Sequence, residues 1–400
     1  MNILLITQSL SNGGAERSMS KLSFLLSKFF VVYILIIDKH KRIDYEYSGQ
    51  ILFLDDFLNG KSLNPLRKVL LIKSIKKKYA IDASLSFLEG PNFNNILSRY
   101  KDQVLISVRG HKSSFYKKSN WKWWFEKVAI RMLYNFADYV VAASKGIAED
   151  LYLNLGVNQK KIKVIPNFYD YHDIISSSTA NVGDYEPIFR ENLVMITTGR
   201  LSIPKGHHHL INIYKDLKKN KSNLKLVILG DGELYEYILS FSYKHNLKVY
   251  SWRNNDVLDS SYDIYLTGFV SNPYSYIAKS SLFVFTSLWE GFPNALAEAI
   301  ICGTFVVSAD CLSGPRELLF DNLSYEDRVN YPLFSNCGVL LPAFQLDDQY
   351  NHHKEYMIWM NCISRLLNAK ESNSLTCDNT SFIENYGKEM ISELWLKLFK

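Results

Sequence analysis

The sequence predicts an α/β protein built of two doubly wound, Rossmann-like domains facing a central cleft. Three observations carry that prediction. Short apolar runs alternate with stretches of helical period along the 400 residues, the pattern of parallel strands buried under helices on both faces. The rhythm breaks once, near the middle, and then resumes. Composition is that of a folded chain, since 47% hydrophobic and 22% charged residues exclude a largely disordered polypeptide.

In the first half, strands are expected at Ile3–Thr7, Val31–Ile37, Ile51–Leu54, Ala83–Phe87, Val104–Val108, Tyr139–Ala142 and Ile162–Ile165. Helices are expected between them at Ala15–Ser27, Arg67–Tyr79, Trp121–Asn135 and Lys145–Leu153. This gives a first domain over residues 1–175. Ser176-Ser177-Ser178-Thr179, Gly183 and Pro187 lie in a stretch with no sustained period, so 176–191 reads as a linker. A second domain over 192–381 resumes with strands at Leu193–Thr198, Leu224–Leu229, Ile264–Thr267, Leu282–Phe285, Thr304–Ser308 and Gly338–Leu341. The chain closes on a helical stretch, Phe382–Leu398. A ligand of such a pair belongs outside the carboxyl ends of the strands.

Whole classes of function fall away early. No run approaches the ~18 uninterrupted apolar residues of a membrane span, and Met1–Thr7 leads straight into a strand, so no secretory leader is expected. The five cysteines are odd in number and contain no CxxC pair. Neither a disulfide framework nor a zinc site is expected, and a reducing cytosol is the natural compartment. No GxGxxG follows the first strand, which disfavours a dinucleotide oxidoreductase.

Four clusters follow second-domain strands. Thr198-Gly199-Arg200 with Lys205-Gly206 puts two cations on a strand-to-helix turn, suited to a diphosphate and equally readable as a solvated loop. Gly230-Asp231-Gly232-Glu233 is a glycine turn that admits a ligand to the backbone, or an ordinary βα turn. Thr267-Gly268-Phe269-Val270 offers a nucleobase a flat face and backbone partners, or is core. The sharpest is Glu290-Gly291-Phe292-Pro293-Asn294-Ala295-Leu296-Ala297-Glu298. A helix is expected from Pro293 to Cys302, with Gly303 as its stop. Its N-terminus would face an anion. Glu290 before it and Glu298 inside it suit hydroxyls on either side of a phosphate, or are a capping acid and a surface acid.

Glu290-x7-Glu298, framed by Thr286-Ser287-Leu288-Trp289 and Gly291-Phe292-Pro293, resembles the EX7E motif of retaining GT-B glycosyltransferases of family 4. The resemblance spans nearly the whole chain. Gly13-Gly14-Ala15-Glu16-Arg17 resembles that family's N-terminal glycine loop. Ala142-Ala143-Ser144, Val164-Ile165-Pro166-Asn167 and Ser308-Ala309-Asp310-Cys311-Leu312-Ser313-Gly314-Pro315-Arg316-Glu317 resemble its other landmarks, in order.

The resemblance implies a GT-B fold and a nucleotide-diphosphate sugar donor, a UDP-sugar favoured, held by the second domain. Arg200 and Lys205 would neutralise the departing diphosphate, Glu298 would bind the ribose and Glu290 the transferred sugar. The amides of Phe292, Asn294 and Ala295 would assist at the helix mouth, Phe269 and Val270 would flank the base, and Gly13, Gly14 and Gly232 would line the donor. From the first domain, to which 382–400 would cross back, His111 would contact the sugar as a catalytic histidine, or is a loop histidine hydrogen-bonded to its own backbone, and Arg109 would be an acceptor-side contact. A hexose or N-acetylhexosamine would pass to a glycan on a polyprenyl diphosphate, in O-antigen, capsule or related polysaccharide assembly. No cofactor is implied. Asp-x-Asp occurs nowhere, and His207-His208-His209 point about 100° apart along a helix and cannot converge, so no obligatory metal is expected.

Basic residues cluster at Arg67, Lys68, Lys73, Lys76, Lys77 and Lys78, and again at Lys112, Lys117, Lys118, Lys122 and Lys127 among Phe115, Tyr116, Trp121, Trp123, Trp124 and Phe125. Cations with aromatics suit an anionic membrane surface, here the inner face of the cytoplasmic membrane, or a solvated helix face over core aromatics. Two other classes compete with a transferase. A GT-B sugar-nucleotide epimerase would need no acceptor, and a non-catalytic basic module would bind nucleic acid or membrane. A net charge of only +6 argues against nucleic acid as a partner.

Overall fold

The structure is a computed structural model and describes residues 1–400 except 12, 41, 59–62, 116–120, 255, 321–322, 324, 326–327, 345–352, 373 and 400. The chain forms two compact units, Met1–Asn167 with Glu389–Lys400, and Phe168–Lys388.

The first unit holds β1 (Asn2–Thr7), β2 (Val31–Ile36), β3 (Gln50–Phe53), β4 (Ala83–Phe87), β5 (Gln103–Val108), β6 (Tyr139–Ala142) and β7 (Ile162–Val164) in the order β3-β2-β1-β4-β5-β6-β7. Every neighbouring pair is parallel. The order reverses between β1 and β4, and the turns after β1 and β5 leave the sheet at its carboxyl end. Side chains such as Ile3, Leu5, Leu85, Leu105 and Val140 are fully buried. Helices on both faces demand that, and it is why these strands read as continuous apolar runs.

The second unit holds β8 (Leu193–Thr198), β9 (Leu224–Leu229), β10 (Val249–Ser251), β11 (Ile264–Gly268), β12 (Leu282–Phe285), β13 (Val306–Ala309), β14 (Leu333–Phe334) and β15 (Gly338–Leu341), ordered β10-β11-β9-β8-β12-β13-β15-β14. All pairs are parallel except β14 with β15. The reversal falls between β8 and β12, so the turns carrying Arg200, Lys205 and Glu290 leave the sheet side by side. The α/β class and the two Rossmann-like sheets are as the sequence predicts.

Three expectations are corrected, and two short strands join those expected. The segment read as a linker is helical over Tyr171–Ser178 and Glu186–Glu191. It is built into the second unit, where Asn272 Nδ2 donates to Ser177 O at 2.8 Å and Lys279 pairs with Glu186 at 2.9 Å. Helices this short are held by such contacts and display little period. The closing helix is two, Thr380–Tyr386 and Lys388–Leu396, interrupted at Gly387, whose backbone is extended. Strands β10 and β14, of three and two residues, are too short to show alternation. Finally, Cys337 and Cys377 are joined by a disulfide, leaving Cys302, Cys311 and Cys362 free. Spacing rules for metal and redox pairs do not reach two cysteines 40 residues apart.

Candidate active site

The site of the second unit is built where β8 and β12 end. After β8 the chain makes a 3-10 turn, Ile203–Lys205, and enters a helix at His207 through Gly206, at φ +61°. A Cβ on Gly206 would stand 2.4 Å from Thr286 O, so a side chain there would push the turn off the segment after β12. That segment is stitched to it, Leu288 N–H donating to Pro204 O at 2.7 Å and Thr286 Oγ1 to Lys205 O at 3.1 Å. The result is a short ion pair, Lys205 Nζ to Glu290 Oε1 at 2.6 Å, with side chains 22% and 13% exposed. The ammonium lies 5.4 Å from the Phe285 ring centroid.

Arg200 takes a different partner. Its Nε donates to Glu233 Oε2 at 2.9 Å on the surface. The two expected cations therefore hold separate carboxylates, because β9 is the neighbour of β8 and its turn places Glu233 within reach.

The expected helix forms over Asn294–Ile301 and stops at Gly303, φ +74°. Its mouth is braced by the loop after β13. Ser313 Oγ donates to Gly291 O at 2.7 Å, and a Cβ on Gly314 would lie 2.2 Å from Pro293 Cδ. Beneath, Arg316 grips Asp310 through Nε and Nη2, both at 2.6 Å, with each side chain 1% exposed. Glu298 is buried and accepts from Tyr274 Oη at 3.4 Å. Asn294 departs from expectation. Its amide donates to Phe292 O at 3.0 Å and its Oδ1 accepts from Tyr169 Oη at 2.6 Å, which leaves the amide of Ala295 in the first turn. Phe292 is buried against Tyr386, ring centroids 5.9 Å apart.

The glycine turns serve one another. Gly230 N–H donates to Gly268 O at 2.8 Å, and a Cβ on Gly230 would come within 2.0 Å of Gly199 O. A Cβ on Gly232 would meet Leu201 O at 2.5 Å. The small residues expected to admit a ligand are thus required by turn-on-turn packing. Phe269 projects into solvent, 79% exposed, beside half-buried Val270.

In the first unit Gly13 is extended, and a Cβ there would collide with Glu16 Oε2 at 2.1 Å, while Gly14 opens the helix Gly14–Leu26. His111 is buried with Nδ1 3.6 Å from Asp150 Oδ2. Arg109 donates to Asn167 Oδ1 and to Ser107 Oγ and lies 4.9 Å over the Phe87 ring. Tyr116, Lys117 and Lys118 lie outside the described residues. Among the described residues no group of three or more His, Cys, Asp or Glu is placed to hold a metal. His207 is buried, which pushes its pKa down to about 3 and keeps the ring neutral.

Sequence reasoning missed the partners: Glu233, Tyr274, Tyr169 and Asp150. Glu233 was visible inside its glycine turn, and only strand order pairs it with Arg200. The tyrosines and Asp150 carry no local pattern at all.

Comparison with known proteins identifies the family. Residues 13–173 match the family described as Glycosyltransferase Family 4, and residues 185–324 the one described as Glycosyl transferases group 1. The chain is 34% identical over 325 residues, 78% of its length and 82% of the relative's, to the N-acetylgalactosamine-N,N'-diacetylbacillosaminyl-diphospho-undecaprenol 4-alpha-N-acetylgalactosaminyltransferase of Campylobacter jejuni. To the lipopolysaccharide 1,6-galactosyltransferase of Escherichia coli it is 30% identical over 46% of each chain. Among solved structures, the Anabaena protein HepE, determined in complex with UDP and glucose, superposes with a TM-score of 0.70 at 18% identity over 100% of this chain and 99% of that one. With two Rossmann-like sheets, both family matches and the Campylobacter relative in hand, the chain belongs to the GT-B glycosyltransferases, with a family 4 N-terminal part and a group 1 C-terminal part.

Proposed function

We propose that this glycosyltransferase moves a hexose or N-acetylhexosamine from a UDP-sugar, with retention of anomeric configuration, to a saccharide carried on a polyprenyl diphosphate. The observation that carries the reading is the Lys205–Glu290 pair set before the N-terminus of the helix Asn294–Ile301. Breaking the sugar–phosphate bond develops negative charge on the diphosphate and positive charge on the ring. Lys205, Arg200 swung from Glu233 and the helix N-terminus meet the first, and Glu290 holds the sugar hydroxyls near the second. Glu298 takes the ribose. With Glu290 engaged by an ammonium rather than free to act as a nucleophile, we propose same-face attack within an ion pair over a covalent intermediate. Lys and Arg do the charge work a metal does elsewhere, and we propose that none is obligatory.

The acceptor class rests on the Campylobacter relative, named for a diphospho-undecaprenol-linked substrate, and on a surface of the first unit. Trp124, Phe125, Met132 and Phe136 are exposed along and just after the helix Trp121–Leu133, with Lys127 and Arg131 exposed among them. No described helix is long and apolar enough to cross a membrane. Apolar rings flanked by cations suit the anionic inner face of the cytoplasmic membrane; Arg109 is assigned to the acceptor side and His111 to the catalytic set. A panel of nucleotide sugars tested for thermal stabilisation, then product analysis by NMR for the anomer formed, tests the reading. A ligand at 100 times its Kd adds about 2.7 kcal/mol. Stabilisation by no sugar nucleotide, or an inverted product, overturns it.

A further inference from the structure

We infer that Trp252 and Arg253, in the loop after β10, form the platform on which the donor's nucleobase rests. The inference rests on reading the chain as a sugar-nucleotide enzyme. It extends that reading to two residues outside every motif the family resemblance supplies.

The argument begins at Gly268, φ +72°, the last residue of β11. A Cβ there would lie 2.7 Å from Trp252 Cε2 and 2.8 Å from both Cδ2 and Nε1. Near-equal distances to three consecutive ring atoms put the glycine under the indole face, not against its edge. The ring occupies the space a side chain would fill, yet it remains 42% exposed. Its backbone is pinned, Trp252 N–H donating to Leu266 O at 3.1 Å. Arg253 is fixed beside it, its guanidinium 3.9 Å from the Tyr235 centroid and 5.5 Å from the Trp252 centroid, with Nη2 donating to Asp231 Oδ1 at 2.6 Å. An exposed aromatic and a stacked guanidinium, both held in place, form the surface a planar heterocycle binds.

The location fits a base in particular. Along the carboxyl edge the order runs from β12 with Glu290, through β8 with Lys205 and β9 with Asp231, to β11 with Gly268 and then β10 with Trp252. At about 4.8 Å per strand, Gly268 stands about 10 Å from the end of β8, a span that a ribose and its 5′ phosphates bridge. Glu298, the ribose carboxylate, is bonded to Tyr274 from the helix Pro273–Lys279 that follows the Gly268 turn. A ribose held there directs its base toward Gly268. Phe269, 79% exposed, directly follows Gly268 on the same turn.

The test is calorimetric titration of UDP, GDP, their monophosphates and inorganic pyrophosphate into the full chain, Trp252→Ala and Trp252→Phe. Loss of one base–aromatic stack weakens the preferred diphosphate and its monophosphate about five- to a hundred-fold in Trp252→Ala, with pyrophosphate unchanged and Trp252→Phe within about three-fold of the parent. Unchanged nucleotide affinity in Trp252→Ala, with the parent binding normally, overturns the platform and leaves the proposed function standing. A parent that binds no nucleotide overturns both. Should Trp252→Ala fail to fold, fluorescence decides. Nucleotide quenches the parent, and that quenching is lost in folded Trp252→Phe. Quenching that persists there overturns the inference.

Discussion

Removing the ammonium of Lys205 should separate its observed hold on Glu290 from its proposed reception of the leaving diphosphate. Two unit charges at 2.6 Å attract by about 6 kcal/mol at an effective dielectric of about 20. Side chains 22% and 13% exposed return part of that to solvent, and desolvation of both ions offsets more, so a coupling of ~1–3 kcal/mol should survive. Lys205→Met leaves Glu290 without its cation and should lower the melting temperature by roughly 2–12 °C, at about 2–4 °C per kcal/mol for a unit of this size. Glu290→Gln added to it should restore most of that loss, since the orphaned charge is gone. Catalysis should behave oppositely. Loss of one preorganised donor to the developing anion costs about 10²–10³ in kcat, and the second substitution should restore none of it. Single-turnover release of nucleotide from the donor measures the rate, and calorimetry measures the melting. A Lys205→Met enzyme within three-fold of the parent kcat, or a double variant no more stable than the sum of the singles, would refute the reasoning.

Three further perturbations test the supporting structure. Gly206→Ala imposes φ +61° on a residue with a Cβ 2.4 Å from Thr286 O; strain of ~1–2 kcal/mol plus the clash should lower both the melting temperature and donor affinity, and an unchanged melting curve would show that the turn is not stitched as described. Arg316→Met strips buried Asp310 of its guanidinium, leaving the Val329 N–H at 2.9 Å as a remaining donor, and should cost ~3–5 kcal/mol, a fall of roughly 6–20 °C, read by thermal denaturation. His207 has a folded pKa of about 3, lowered by burial and then by the Lys205 and His208 charges, against about 6.5 unfolded. Between these values the unfolded chain binds the extra proton, so this contribution is fully present above pH 6.5 and is lost as pH falls toward 3. Nδ1 of His207 is buried without a hydrogen-bond partner among the described residues. His207→Leu should therefore be near neutral at pH 7 and shallower in its acid decline, and a melting temperature that falls with acid as steeply as the parent's would count against the assignment.

What the sequence made legible follows a physical division. Ala83–Phe87, Tyr139–Ala142, Leu193–Thr198, Leu224–Leu229, Leu282–Phe285 and Gly338–Leu341 begin and end where expected, because burial on both faces leaves a run of apolar residues that polar turns must interrupt. The helix before Gly303 was equally plain, since proline and glycine act on the backbone locally. Elements held by distant contacts were not. Tyr171–Ser178 and Glu186–Glu191 depend on Asn272 and Lys279, about a hundred residues on. In the candidate site, the side chains were visible as chemistry but their pairings were not. Lys205 with Glu290, and Arg200 with Glu233, follow from strand order, which no local pattern encodes.

The same strand order explains why so many glycines gather at one edge of the second unit. Gly199, Gly206, Gly230 and Gly268 all adopt positive φ, at 147°, 61°, 141° and 72°. A missing side chain at three of them lets a neighbour come close: Thr286 O to Gly206, Gly199 O to Gly230, and the Trp252 ring to Gly268. Gly199 is the looser case, with Lys205 Cε 3.2 Å from the position of its Cβ. The turns after β12, β8, β9, β11 and β10 are thereby nested into a single rim, so that Lys205, Asp231 and Trp252 stand on one continuous backbone surface although some 47 residues separate the first from the last. Nesting has a consequence for specificity. Because each turn rests on the next, a substitution that enlarges one glycine displaces its neighbours, and phosphate and base contacts should weaken together. Side-chain truncations at Lys205 or Trp252, which leave the rim intact, should weaken one and spare the other.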